Sequence, residues 1–328
     1  MKVSVAICTY NGEKYIEEQL RSILEQTIPI DEIVLRDDGS TDNTLPIASK
    51  IASEYPDVSF HISSNPINEG VSINFDNAIL ACSGDLVFLS DQDDIWMPDK
   101  VKTIVQWFEA HPNKDVVFTD AQIVDNNGQL CCDRTAFELV GFNKAAQKMF
   151  DDGLGPILFI RNLAVGATMA IRRKQYVSIA HFLHQTHYIH DGILAILALD
   201  SESLGYMNET LIKYRQHPDQ QIGLSFLMDN PFPSDIFFQT YLFDSTEAIP
   251  LLLNFPLQKK YKQTLRFLSM RKKQLENPCG IVVYFYWIAI GRYSHYMKSH
   301  AKNFYRYDCR YWLTLRWQRL VSKTKKEH

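Results

Sequence analysis

The chain has 328 residues, 46% of them hydrophobic and 22% charged. That make-up is ordinary for a globular protein with a sizeable core and sets aside disordered and fibrous classes. The net charge of −4 hides an asymmetry: residues 1–258 hold 17 Lys and Arg against 35 Asp and Glu, whereas residues 259–328 hold 17 against 3. A basic tail on an acidic body implies that the tail meets something anionic. The six cysteines show neither CxxC pairing nor His-rich spacing, which argues against a zinc site.

Val3–Cys8 is an apolar, β-rich run that stops at the turn cluster Thr9-Tyr10-Asn11-Gly12. It begins so close to Met1 that no signal peptide is expected, and with it a cytoplasmic location. Helical spacing follows over Tyr15–Gln26, then a short strand, Ile33–Leu35, ending in Arg36-Asp37-Asp38-Gly39-Ser40. A helix over Thr41–Tyr55, a strand near Val58–Ile62 and a helix near Val71–Cys82 come next. This alternation predicts parallel βαβ units and hence a doubly wound α/β sheet.

The strand Leu86–Leu89 then runs into Ser90-Asp91-Gln92-Asp93-Asp94-Ile95-Trp96, ahead of a helix from Pro98 to His111. Helix capping accounts for one of these acids but poorly for three. Carboxylates at the carboxyl edge of a sheet stand where open α/β folds bind ligands, and hard oxygen donors suit Mg²⁺ or Mn²⁺. On the same edge Tyr10 offers a ring to a base and Asp38 an acceptor to a pyrimidine N–H, although each is also an ordinary turn residue. No GxxxxGK[ST] loop is present, and no GxGxxG follows the first strand, so kinase, GTPase and dinucleotide readings lose ground.

Further on, Val116–Phe118 reads as a strand ending at Thr119-Asp120, and Asp125–Gly128 as a turn. Val165–Ile171 reads as a strand whose small residues admit a ligand closely. His190-Asp191-Gly192 opens an apolar helix, with Asp191 at an N-cap position, and Leu211–His217 reads as a strand entering a loop.

Taken in order, Val3–Gly12, Asp37-Asp38-Gly39-Ser40-Thr41-Asp42 and Ser90–Trp96 resemble the family-2 glycosyltransferases, inverting enzymes that use nucleotide sugars. The Ser-Asp-Gln-Asp-Asp-x-Trp form is similar to a bacterial rhamnosyltransferase-like subset. The resemblance implies a GT-A fold, Rossmann-like, with a mostly parallel sheet and helices on both faces. It covers 1–225, with 1–111 as the nucleotide-sugar half and 112–225 as the acceptor half. It further implies nucleotide-sugar contacts from Thr9, Tyr10, Asn11, Glu13, Asp38 and Asp91, with Asp91 and Asp93 as a DxD pair and Asp93 the direct metal ligand. Asp191 corresponds to the general base, with His190 orienting it. Tyr214-Arg215-Gln216-His217 is similar to a segment in which Arg215 and His217 face the diphosphate or the metal. The QxxRW motif of processive synthases is missing here, which favours adding one sugar per encounter.

Beyond residue 225 the composition changes, and a mainly helical region, 226–328, is expected. The apolar run Cys279–Gly291 has 13 residues, too short to span a bilayer. Basic residues with interfacial aromatics over 279–326 suit a helix on an anionic membrane; packing on the acidic body is the plainer alternative. Nucleic-acid binding would use the same chemistry but is not expected. The expected activity is metal-dependent transfer of a sugar from a UDP- or dTDP-linked donor to a saccharide. That acceptor is expected to be a lipid-linked glycan of bacterial O-antigen or capsule synthesis, met peripherally at the inner membrane face. The competing readings are a sugar-phosphate nucleotidyltransferase, which would want a Gly-rich, Lys/Arg-bearing loop after the first strand, and a non-catalytic glycan- or membrane-binding protein.

Overall fold

The computed structural model describes residues 1–151, 163–176 and 189–220. The expected helical region 226–328 and its membrane-facing stretch lie outside the described residues. Among the described residues no helix is long and apolar enough to cross a membrane.

β1 (Val3–Thr9) is buried along its whole length between two parallel neighbours, β2 (Glu32–Asp37) and β4 (Leu86–Ser90). A strand covered on both faces needs an apolar run rather than alternation, which is why VSVAICT reads as it does. β3 (Ser59–Ser64) adds to the outer side of β2, also parallel. The crossovers are α1 (Ile16–Leu24), α2 (Thr44–Glu54) and α3 (Val71–Ala81). α1 buries Ile16, Leu20 and Ile23, one stripe at i, i+4 and i+7. The paired residues Thr9↔Asp37 and Ile7↔Ser90 bring the three strand ends onto one edge.

Beyond β4 the sheet ceases to be parallel. The two-residue β5 (Ile95–Trp96) and α4 (Lys100–Ala110) follow directly, then β6 (Val116–Val124) and β7 (Leu130–Thr135). α5 (Ala136–Val140), α6 (Lys144–Met149), β8 (Ala170–Arg172), α7 (His190–Asp200) and β9 (Leu204–Arg215) complete the described elements. The sheet order is β3-β2-β1-β4-β8-β6-β9-β5, with β7 on β6. β8 runs against both β4 and β6, and β9 is parallel to β6. The end of β9 therefore comes out on the same edge as the ends of β1, β2 and β4.

Where the small-residue run Val165–Ile171 suggested one strand, Gly166–Thr168 forms a 3₁₀ turn and only Ala170–Arg172 is strand. The Thr168 hydroxyl donates to the Val165 carbonyl at 2.7 Å, a local bond that competes with the ladder. β5 pairs with β9 through Ile95↔Lys213 and Trp96↔Ile212, so the acidic turn 91–94 is held between β4 on one side and β9 on the other.

Candidate active site

The shared edge opens into a cleft of about 610 Å³. Tyr10, Asn11, Asp38, Asp91 and Asp93 line it from the strand ends, and Gly166, His190 and Asp191 line it from the mixed half.

On the β1–β2 side the two adjacent aspartates divide their tasks. Asp37, fully buried, accepts from the Thr9 hydroxyl (2.8 Å), the Ser40 N–H (2.8 Å) and the Ser64 hydroxyl (3.0 Å), which builds the turn. Asp38 accepts from Asn65 Nδ2 (2.8 Å) and from the N–H groups of Glu69 (2.8 Å) and Gly70 (2.9 Å). Three donors leave its carboxylate one further acceptor position toward the cleft. Thr9 lines the cleft, but its hydroxyl is engaged by Asp37. Asn11 takes a left-handed φ of 48° and accepts from the Thr41 N–H at 2.9 Å. Tyr10 is 38% exposed, its ring free for stacking.

Glu13 is not among the cleft-lining residues, and its Oε2 accepts from the N–H (2.9 Å) and Nδ2 (2.8 Å) of Asn43. It ties the loop after β1 to the start of α2. Gln92, which sequence reasoning passed over, braces the same loop: its side chain donates to the Tyr10 carbonyl (3.1 Å) and accepts the Tyr10 N–H (2.8 Å). Gly12 makes room for it, because a Cβ there would fall 2.2 Å from Gln92 Oε1.

The acidic turn is crowded. Asp93 Oδ2 lies 2.9 Å from His217 Nε2, and among the described residues its Oδ1 has no hydrogen-bond partner. Asp94 is buried, accepts the Arg215 N–H at 3.0 Å through Oδ1 and leaves Oδ2 unpartnered. Burial, then the charges of Asp93 and Asp191, push the Asp91 carboxyl up to about 7. Burial, then Asp93 and Asp91, raises Asp94 as well. Lys100 is the nearby cation, fully buried, donating to the Ala167 carbonyl at 2.9 Å over the Trp96 ring. Burial brings it down to about 7, against the pull of Asp94 and Asp91.

Arg215 is 1% exposed and does not line the cleft. Its guanidinium donates to the carbonyls of Asp93 (2.6 Å) and Asn126 (3.0 Å) and pairs with Glu18 at 2.6 Å. It locks the acidic turn in place. The His217 ring that meets Asp93 also lies 4.6 Å from that of Tyr15.

Asp191 stands in the first turn of α7, one residue inside its start, not at the N-cap. Its Oδ2 accepts the Gly166 N–H at 2.9 Å and its Oδ1 the Gly192 N–H at 2.6 Å, so the carboxylate joins the helix to the 3₁₀ turn. His190 does not orient Asp191 by a hydrogen bond: among the described residues neither of its ring nitrogens has a partner.

Does this donor set suit a divalent ion? Among the described residues no three His, Cys, Asp or Glu side chains are assembled as a ready-made cluster. Asp93, with one carboxylate oxygen free beside the electrostatically strained Asp91, still offers hard oxygen donors. Mg²⁺ and Mn²⁺ sites that take one or two carboxylates draw their remaining ligands from water and substrate phosphates, and these residues fit that pattern.

A Rossmann-like sheet with acidic strand ends around one cleft is the GT-A architecture. Staphylococcus aureus TarS residues 1–349, solved with UDP-GlcNAc, shares this fold at a TM-score of 0.52 and 19% identity, over 89% of this chain and 80% of that one. The family model "Glycosyl transferase family 2" matches residues 4–153. The dTDP-rhamnosyl transferase RfbG of Shigella flexneri is 31% identical over 228 residues, 66% of this chain and 73% of that protein. The putative glycosyltransferase EpsE of Bacillus subtilis is 33% identical over 127 residues, 39% of this chain and 45% of that protein. The chain belongs to glycosyl transferase family 2 and is a glycosyltransferase.

Proposed function

We propose that the protein transfers one sugar at a time, with inversion, from a nucleoside-diphosphate sugar to a hydroxyl of a saccharide. The observation that carries this reading is the opening of Asp38, Asp91, Asp93 and Asp191 onto a single cleft. Tyr10 and Asp38 hold the base, while Asp91 and Asp93, with His217 behind Asp93, face the diphosphate. Mg²⁺ or Mn²⁺ held at Asp93 would offset the charge that grows on the leaving diphosphate. Asp191 accepts the proton of the attacking hydroxyl, and an ionised carboxylate is ready for this at neutral pH.

Likeness to the Shigella enzyme favours a dTDP-linked deoxysugar donor, with UDP-sugars as the other class. The acceptor is a lipid-linked glycan reached through residues 279–326 at the inner membrane face. The test is thermal stabilisation by UDP, dTDP, GDP and ADP, each with and without Mn²⁺, followed by transfer from the selected donor. A Mn²⁺-dependent rise with UDP or dTDP is expected. No rise with any diphosphate would refute the reading.

A further inference from the structure

His190 begins α7 and forms part of the cleft wall; it is 5% exposed. Buried polar atoms are nearly always paired, so a ring with both nitrogens unpaired calls for a ligand. The ring is not loose. It stacks on Phe75 with centroids 4.2 Å apart and 18° between the planes, and the His190 N–H donates to the Ser72 hydroxyl at 3.2 Å.

Gly166 lies against the same two side chains. A Cβ there would come within 3.2 Å of His190 Nε2 and 3.1 Å of Asp191 Oδ2. Glycine therefore keeps clear the space that the imidazole and the carboxylate share.

Burial brings the His190 imidazole down to about 3, with Asp76 opposing, so the ring is neutral at physiological pH. A neutral imidazole offers one donor and one acceptor. A phosphate oxygen would satisfy only the donor, and an apolar ligand would satisfy neither. The two nitrogens diverge, so one ligand group meets only one of them. A hydroxyl can donate to the bare nitrogen or accept from the protonated one, and so suits the Nε2 that faces Gly166 in either tautomer.

We infer that His190 is a specificity-determining residue that hydrogen-bonds a hydroxyl of a sugar held beside Asp191. The inference rests on the glycosyl-transfer reading and deepens it. The hydroxyl belongs either to the transferred sugar or to the acceptor, and the experiment separates these sources.

The full chain and its His190→Phe variant, which keeps the stacking on Phe75 and removes both nitrogens, are titrated calorimetrically with Mn²⁺ present. One arm compares dTDP-rhamnose with dTDP and UDP-GlcNAc with UDP. The other adds methyl rhamnoside or methyl N-acetylglucosaminide to the protein already loaded with diphosphate. Loss of about tenfold in affinity for the nucleotide sugar, with diphosphate affinity unchanged, assigns the contact to the donor. The same loss confined to the methyl glycoside assigns it to the acceptor. Equal affinities in both arms overturn the inference while leaving the glycosyl-transfer reading intact. A wild-type chain that binds neither diphosphate overturns both.

Imidazole ¹⁵N shifts of His190 in the wild-type chain give a readout that needs no variant. They should move when a sugar is added to the diphosphate-loaded protein, and unmoved shifts overturn the inference.

Discussion

In the β3-β2-β1-β4 half every neighbouring pair is parallel, whereas in the β8-β6-β9-β5 half parallel and antiparallel pairs are mixed and partners lie far apart in the chain. The first half presents its cleft residues simply by ending. Tyr10, Asp38 and Asp91 each come immediately after a strand. The second half gathers its residues from unlike places: a 3₁₀ turn for Gly166, a helix start for Asp191, a strand end for Tyr214. It also clamps the first, since Arg215 bonds the Asp93 carbonyl and the Asp94 carboxylate. In the proposed reaction the parallel half would hold the donor and the mixed half would carry the proton transfer; the mixed half also fixes the acidic turn.

The largest effect should separate these two tasks. Asp191→Asn keeps the shape at Gly166 but removes the base, so transfer should fall by about 10²–10⁴-fold while calorimetric affinity for the nucleoside diphosphate stays within twofold. Undiminished turnover would remove Asp191 from the chemistry.

Next comes the clamp. Arg215→Ala leaves two backbone carbonyls without their donor, while the half-exposed Glu18 regains water, so the cost is mainly that of the buried hydrogen bonds, about 2–3 kcal/mol. Thermal unfolding should shift down by about 3–4 °C for a chain of this size. A selective rise in donor Kd with Tm unchanged would instead restore the diphosphate contact that the sequence suggested.

A smaller effect tests the donor half alone. In Asp93→Asn, the stabilisation that diphosphate and Mn²⁺ give together, about 2.7 kcal/mol at a hundredfold excess over Kd, should drop to that of diphosphate alone. Stabilisation equal to wild type would place the ion elsewhere.

The same contrast explains what could be read without coordinates. β1, β2 and β4 are apolar runs closed by polar turns, so both the parallel half and its acids at 38, 91 and 93 were legible. Arg215 was not, because the Glu18 that neutralises it lies 197 positions earlier and only the fold makes them neighbours. Nor does the sequence show the bond of Glu13: it stands beside Tyr10 and Asn11 in sequence, yet its carboxylate turns to Asn43. Gly166 read as part of a strand because small residues carry no signal distinguishing a 3₁₀ turn from an edge. Its role depends on Asp191, 25 residues on.

The smallest predicted effect concerns Asp91, which the donor half holds opposite Asp191 of the other. Its folded pKa of about 7 exceeds the usual carboxylate value near 3.9, so the folded protein keeps a proton that the unfolded chain has released. The sign follows. Stability from this group is fully present below pH ~4, is lost as pH rises to about 7, and is flat beyond. Asp91→Asn lacks the titration. In the ligand-free protein the variant should gain on wild type from pH 4 to 7 and hold that lead above, by about 1–2 kcal/mol once water in the open cleft is allowed for. With Mn²⁺ and diphosphate bound the order should reverse at pH 8, because the charge that is a burden in the empty cleft becomes an attraction for the ion. Parallel stability curves for variant and wild type across this range, without and with ligand, would mean that Asp91 is neither strained by its neighbours nor relieved by a cation.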